Sequence, residues 1–243
     1  IAERLPATIE LSLFSLILAL LTSIPLGVLA ALKKNTIFDR VSTVVSLFGV
    51  SLPGFWFGIL LLMLFAVHLQ ILPVSGRIDY AYEVDAVTHL LLIDSLIAGR
   101  LDTFVNVLSH LFLPALTLGL PMAAILMRVT RTSMLEVMSQ DYIVFAEAKG
   151  ISRTSILIRH ALKNALIPTV TVAALETGSL LGGNMIVESV FGWPGLGRLV
   201  VESIFVRNYP LVQAAVLFYA VTYVFLNFFA DILYTVLNPR VKL

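Results

Sequence analysis

The stretch that decides the fold is Ile9-Glu-Leu-Ser-Leu-Phe-Ser-Leu-Ile-Leu-Ala-Leu-Leu-Thr-Ser-Ile-Pro-Leu-Gly-Val-Leu-Ala-Ala-Leu32, where a single charge stands in an otherwise apolar and small-polar run. A hydrocarbon core of about 30 Å is crossed by about 20 helical residues, so a run of this length reads as a transmembrane helix. Four more runs of the same kind give spans at Val41–Leu69, Phe104–Val129, Ala165–Val187 and Leu211–Leu237. The expected fold is therefore all-α, a polytopic membrane protein with about five transmembrane helices. Composition agrees: 59% of residues are hydrophobic and 13% charged, with a mean hydropathy of +0.98, whereas soluble domains carry about 25% charged residues.

The formal net charge of +1 conceals an asymmetry. Lys33, Lys34 and Arg40 lie between the first two spans. Arg128, Arg131, Lys149, Arg153, Arg159 and Lys163 surround the connection after the third, and Arg240 and Lys242 follow the fifth. The remaining basic residues, Arg4, Arg77, Arg100, Arg198 and Arg207, share their side with acids including Asp79, Glu83, Asp85, Asp94 and Asp102. By the positive-inside rule the first set is cytoplasmic, which puts the N-terminus outside and the C-terminus inside. The chain has no cysteine, hence no disulfide or thiolate metal site. It begins with Ile, and an odd number of spans starting outside leads to the expectation of a preceding N-terminal segment.

Residues 1–243 read as a single transmembrane domain without Ser- or Gly-rich linkers. Two connections are long enough to have structure: an outer one, Ile71 to Thr103, with helical patterning at His89–Ala98, and an inner one, Thr130 to Asn164, that is polar and basic. In the inner connection Asp141 is placed to cap a short helix, Tyr142 to Lys149, which Gly150 ends in a left-handed conformation. Ser152 is placed to cap a second, where Ile156, Leu157, His160 and Ala161 recur at helical spacing beside Arg153, Arg159 and Lys163. From the residues alone this is a basic amphipathic surface element, suited to lipid headgroups or to a groove on a partner.

The run Tyr142-Ile-Val-Phe-Ala-Glu-Ala-Lys-Gly-Ile-Ser-Arg153, continuing to Arg159-His-Ala-Leu-Lys-Asn-Ala-Leu-Ile-Pro168, resembles the cytoplasmic coupling loop of ABC-transporter permeases of the dipeptide, oligopeptide and nickel importer family. That family's pattern is Glu-Ala-Ala, three residues, Gly, nine residues, then an apolar-x-Leu-Pro ending. Counted from Gly150, Ala146 fits the second Ala and Leu162 fits the Leu; Val144, Phe145, His160 and Lys163 depart from the pattern. Glu188-Ser-Val-Phe-Gly-Trp-Pro-Gly-Leu-Gly-Arg198, Arg207-Asn-Tyr-Pro210 and Asp231-Ile-Leu-Tyr-Thr-Val-Leu-Asn-Pro-Arg240 are similar to the family's carboxy-terminal third. Leu5-Pro-Ala-Thr8, Ile24-Pro-Leu-Gly-Val-Leu-Ala-Ala31, Leu52-Pro-Gly-Phe-Trp56 and Leu72-Pro-Val-Ser-Gly76 resemble the first permease type of the dipeptide systems.

The resemblance implies a multi-pass subunit of a bacterial inner membrane. Its expected partners are a second homologous permease, two cytoplasmic ATPases, an extracytoplasmic solute-binding protein, the lipid bilayer and a peptide substrate; nucleic acid is not among them. It assigns ATPase coupling to residues 141–164, in particular Ala146, Glu147, Ala148, Lys149, Gly150, Ser152, Arg153, Arg159 and Leu162. ATP and Mg are expected on the partner ATPases, with no cofactor on this chain. Accordingly no G-x-x-x-x-G-K-[ST] pattern and no Gly-Lys pair occurs. A nickel chelate or a glutathione-like molecule is the alternative cargo. An autonomous secondary transporter or channel is the alternative class, but such proteins often show inverted repeats and charged midplane sites.

No catalytic residues are expected. His68, His89, His110 and His160 lack metal spacing. Gly192, Gly195 and Gly197 surround Trp193-Pro194, which reads as a tight external turn with an interfacial aromatic anchor. Glu176 falls inside the fourth span, where an acid facing lipid costs about 2.5 to 3.5 kcal/mol. It should face a cavity or a partner, as pathway lining or as a hydrogen-bonded structural acid. Asn184, eight residues on and near Gly178, Gly182 and Gly183, is expected on the same surface. Asn227 and Asp231 are expected to pair structurally with the partner permease or with Asn238 and Arg240. Pro25, Pro53, Pro114 and Pro121 lie inside spans and permit kinks.

Overall fold

A computed structural model describes residues 1–82, 84, 87–181 and 184–237, and all regular structure among them is helical. The helices are α1 (Leu5–Leu32), α2 (Ile37–Ser51), α3 (Gly54–Leu61), α4 (Leu91–Ile97), α5 (Leu101–Met138), α6 (Asp141–Ala148), α7 (Arg153–Ser155), α8 (Lys163–Leu181), α9 (Met185–Val190), α10 (Leu196–Phe205) and α11 (Tyr209–Leu237). Two π-helical runs extend them: Leu62–His68 continues α3, and Ile156–Leu162 joins α7 to α8. Four of these elements are long and apolar enough to cross a bilayer, or five if the broken pair Ile37–Ser51 and Gly54–His68 counts as one span.

The expected second span is thus not one continuous helix. Pro53 stands at the N-cap of α3 in an extended conformation and ends the helical run that α2 began. Proline alone does not decide this, because α1 runs through Pro25 and α5 through Pro114 and Pro121 without interruption. The fourth span also differs from expectation. It is helical from Arg153 to Leu181, 29 residues, or about 43 Å at 1.5 Å per residue, so its first turns lie beyond a core of about 30 Å. Its described part runs to Leu181, and Asn184 lies outside any helix, so the span does not continue unbroken to the expected Val187.

The chain forms two compact units, each assembled from segments distant in sequence. The first comprises residues 1–18, 52–120 and 177–225. Its core centres on Trp193 packed with Ala7, Leu11, Leu111 and Ala115. Phe191 with Ala66, Leu113 and Val187 forms a second cluster, and Leu196, Val200, Ala215 and Tyr219 a third. Small residues let its helices approach closely: a Cβ on Gly119 would stand 2.9 Å from the Ser15 carbonyl oxygen.

The second unit comprises residues 19–51, 121–176 and 226–243. Ala31, Met134, Ile143, Ala146, Ile156, Ala161 and Ala165 form its core, bringing the inner connection onto α1, α5 and α8. Gly27 meets α5 so tightly that a Cβ would stand 2.8 Å from both the Met127 carbonyl oxygen and Thr130. The Thr130 and Thr169 hydroxyls hydrogen-bond at 2.9 Å, tying α5 to α8. Arg131 grips the buried Asp39 through Nε and through Nη2 at 2.8 Å, while Asp39 also accepts from the Asn35 N–H at 3.0 Å.

Candidate functional site: an exposed apolar hairpin and a buried carboxylate clasp

The inner connection folds as a helical hairpin in the second unit. α6 begins at Asp141 after Gln140, whose side chain makes no cap bond, so Asp141 opens the first turn instead of standing at the cap. Gly150 has φ +74°, the left-handed conformation expected of it. Ser152 occupies the N-cap of α7 without a side-chain bond to the helix. The second helix is not separate, for it continues through Ile156–Leu162 into α8.

Among the residues assigned to coupling, Ala146 is buried in the core of this unit and Leu162 packs against it. Glu147, Ala148, Lys149, Gly150, Ser152, Arg153 and Arg159 are exposed. Lys149 Nζ sits 4.5 Å above the Phe145 ring. The Asn164 amide donates to the Tyr142 hydroxyl at 2.9 Å and Tyr142 donates to the His160 carbonyl at 3.3 Å, which pins the two arms together.

What the motif reading omits is apolar. α6 buries Ile143 and Ala146 on one side while Tyr142, Val144 and Phe145 stand exposed on the other, with Ile158 exposed on the second arm. Apart from Asp141 and Glu147, α6 therefore carries apolar residues on its exposed side as well as its buried one. The signal was in the sequence, since Tyr142-Ile-Val-Phe-Ala offers no polar face. The hairpin thus exposes Tyr142, Val144, Phe145 and Ile158 together with charged residues of both signs, Asp141, Glu147, Lys149, Arg153 and Arg159.

The second arrangement lies in the first unit and was not anticipated. Glu188 is fully buried, at 0% exposure. Its carboxylate accepts hydrogen bonds from the Thr8 hydroxyl at 2.9 Å and the Arg198 N–H at 2.9 Å, with the Gly197 N–H as a further donor. The Thr8 hydroxyl in turn accepts from the Leu196 N–H at 2.8 Å. The first three N–H groups of α10 have no carbonyl within the helix to bond, and side chains from elsewhere in the chain satisfy all three. Burial pushes the Glu188 carboxyl above the ordinary value, and the bonds from Arg198, Thr8 and Gly197 only partly offset it.

The glycines of Gly-Trp-Pro-Gly-Leu-Gly make room for this clasp. A Cβ on Gly195 would stand 2.4 Å from the Glu188 carboxyl atoms, and one on Gly197 2.8 Å from the Met185 backbone. Gly192, at φ +59°, forms the tight turn. Trp193 is not the interfacial anchor expected of it: it is fully buried, with Nε1 donating to the Ala7 carbonyl at 2.8 Å. An aromatic at the end of a span reads as a belt residue, whereas here the indole fills the core between α1 and α5.

Glu10 works in the same way on α4. It accepts from Arg77 Nε at 2.9 Å and Nη2 at 2.7 Å and from the Leu92 N–H at 2.7 Å. Asp94, in α4, accepts from the Thr88 hydroxyl and N–H at 2.7 and 2.8 Å. Burial is the largest influence on Asp94 and raises its pKa, but these bonds and those from neighbouring backbone N–H groups outweigh it and hold the carboxyl below its ordinary range.

Glu176 and Asn184 do not share a helical face. α8 ends at Leu181, and Asn184 stands at the start of α9, its amide donating to the Leu180 carbonyl at 3.3 Å. Glu176 is half-buried and makes no side-chain hydrogen bond or ion pair among the described residues. Glu83, Asp85, Gly182, Gly183, Asn238, Arg240, Lys242 and the Asp231 side chain lie outside the described residues.

Residues 23–243 match the family described as binding-protein-dependent transport system inner membrane component. The chain is 43% identical over 242 residues to the dipeptide transport system permease protein DppB of Escherichia coli K12, covering 98% of this chain and 71% of that one. The chain belongs to this permease family. The permease is also 44% identical over 237 residues to the di/tripeptide transport system permease protein DppB of Pseudomonas aeruginosa UCBPP-PA14, covering 98% and 70%. It is 37% identical to the glutathione transport system permease protein GsiC of Escherichia coli O1:K1, covering 100% and 70%. Its fold matches a chain of the MetNI methionine ABC transporter in an inward-facing conformation, with a TM-score of 0.71 at 15% identity, covering 98% and 95%. The all-α multi-span fold and the family are those anticipated from the motifs.

Proposed function

We propose that this permease forms half of a translocation pathway for di- and short oligopeptides, paired with a second homologous permease, powered by two separate cytoplasmic ATPases and supplied by an extracytoplasmic binding protein. The observation that carries the reading is the inner hairpin, which exposes Tyr142, Val144, Phe145 and Ile158 alongside Lys149, Arg153 and Arg159, a combination suited to a protein cover. An ATPase groove with an apolar floor and acidic margins supplies one. Peptide is favoured over glutathione-like cargo by the higher identity to the dipeptide permeases, 43% against 37%.

The orientation follows from charge. The first unit carries Arg4, Arg77, Arg100, Arg198 and Arg207, whereas Lys33, Lys34, Arg40, Arg128, Arg131, Lys149, Arg153, Arg159 and Lys163 all fall in the second. That distribution supports a cytoplasmic connection between Thr130 and Asn164 and a cytoplasmic C-terminus.

The decisive experiment is reconstitution of the permease with its genomic neighbours in vesicles, measuring ATP-dependent uptake of labelled Ala-Ala. Uptake that needs every component is the expected result. ATP-independent uptake by the permease alone would refute the importer reading in favour of a secondary transporter.

A further inference from the structure

The second unit contains a cleft of about 500 Å3 lined by Val50 of α2, Ile125, Arg128, Val129, Thr132, Ser133 and Glu136 of α5, and Pro168 of α8. The volume lies within the range of small-ligand sites, about 300–1,000 Å3. Arg128, Thr132 and Glu136 recur every fourth residue and are all exposed, so they form one line along α5. Among the described residues neither the Arg128 guanidinium nor the Glu136 carboxylate takes part in an ion pair or hydrogen bond. Their backbones lie about 12 Å apart along the helix, too far for the two charges to neutralise each other directly. The wall between them is apolar, with hydroxyls at Thr132 and Ser133.

Two opposite, unspent charges at the ends of an apolar-walled cleft fit a ligand that is itself charged oppositely at its two ends. An extended dipeptide spans at most about 7 Å and a tripeptide about 10 Å, lengths that Arg and Glu side chains leaning inward from a 12 Å spacing can bracket. We propose that this cleft is a peptide-binding station in the permease, in which Arg128 holds the C-terminal carboxylate, Glu136 the N-terminal ammonium, and Val50, Ile125, Val129 and Pro168 accept side chains without selecting among them. The inference rests on the peptide reading above and adds to it a site with named roles.

The test uses the purified permease–ATPase complex without binding protein, so that blocked peptides reach the permease directly. Saturation-transfer NMR with Ala-Ala, N-acetyl-Ala-Ala and Ala-Ala amide should show each blocked form binding about ten-fold more weakly than the free peptide, as for loss of one charge-assisted bond. Arg128→Gln should abolish the discrimination against the amide and keep that against the acetyl form. Glu136→Gln should do the reverse. Both side chains are exposed, and retained ATP turnover in the variants verifies assembly. Equal transfer to all three peptides, no transfer to any because the partner permease fills the cleft, or unchanged selectivity in the variants overturns the site. If the wild-type assembly nevertheless takes up Ala-Ala, the site alone has failed and the peptide reading stands. An assembly that takes up no peptide overturns both.

Discussion

Replacing Gly195 by alanine tests the Glu188 clasp, because the three heavy atoms nearest the new methyl, all at 2.4 Å, belong to the Glu188 carboxyl group and to nothing else. A side chain at the end of a flexible arm would swing away. Glu188 is fully enclosed and holds Thr8 and the start of α10, so swinging away forfeits those bonds. Overpacking costs about 1–3 kcal/mol, and each lost bond to a charged group about 1.5–3 kcal/mol; a total of about 2.5–6 kcal/mol follows when one such bond breaks. For a domain of this size that lowers the thermal midpoint by about 10 °C. The readout is built in. The chain has two tryptophans, Trp56 at 45% exposure and Trp193 at 0%. In a Trp56→Phe background the red shift of Trp193 emission on heating in detergent reports the opening of this core. The discriminating step is the double variant: once Glu188→Ala has removed the obstacle, adding Gly195→Ala should cost no more than about 0.5 kcal/mol, the scatter of independent sites. A Gly195→Ala penalty of equal size in both backgrounds would refute the assignment of the glycine to carboxylate clearance.

Gly150→Asp places a side chain where a Cβ meets no atom of the chain within 4 Å but where φ is +74°, a left-handed strain of about 1–2 kcal/mol, so insertion should persist with a modest loss of thermal stability while transport is lost through the ATPase contact; normal co-purification with the ATPase and normal transport-coupled ATP turnover would contradict the docking surface. In this cysteine-free chain, Ser75→Cys should react with an impermeant thiol reagent from outside intact cells and Ser152→Cys only after the inner face is opened, both positions being exposed; the reverse pattern overturns the orientation. Glu176→Gln should lower peptide uptake without reducing assembly or basal ATP turnover if the half-buried acid lines the pathway, and unchanged uptake for cargoes of different charge makes it structural. The folded-state pKa of Asp94 lies below its ordinary value of 3.8, so its stabilisation is present above that value and is lost as pH falls through the lowered one; Asp94→Asn should flatten this acid limb of the Trp193 melting midpoint, and an unaltered limb would contradict the role of the Thr88 bonds.

The number and type of spans were legible because hydropathy over some twenty residues is a sum that local detail barely disturbs. Breaks are not read from hydropathy, since Pro53 interrupts a helix and Pro114 and Pro121 do not; Pro53 alone of the three is followed by glycine, Gly54, a pair that marks turns. Asn184 was assigned to the face of Glu176 by extending a period that stops at Leu181. In the hairpin of α6 and α7 the left-handed Gly150 and the exposed basic residues were readable from local chemistry. The exposed apolar Tyr142 and Phe145 were passed over because apolar residues in a membrane protein draw no notice. Glu188 was beyond reach for a different reason: its partner Thr8 is 180 positions away, and only the fold joins them.

The π-helical run Ile156–Leu162 between the surface hairpin and the fourth span bears on how this gene can change length. A π-turn stores a surplus residue inside an otherwise continuous rod. One residue lost there lets the turn tighten to ordinary α-helix, and the faces before and after it keep nearly the same alignment. One residue lost farther along, between Lys163 and Glu176, has no such reserve, and it rotates everything on one side by about 100° against the other. Deletions in this part of the gene should therefore survive only within those seven codons, where the helix carries its own slack.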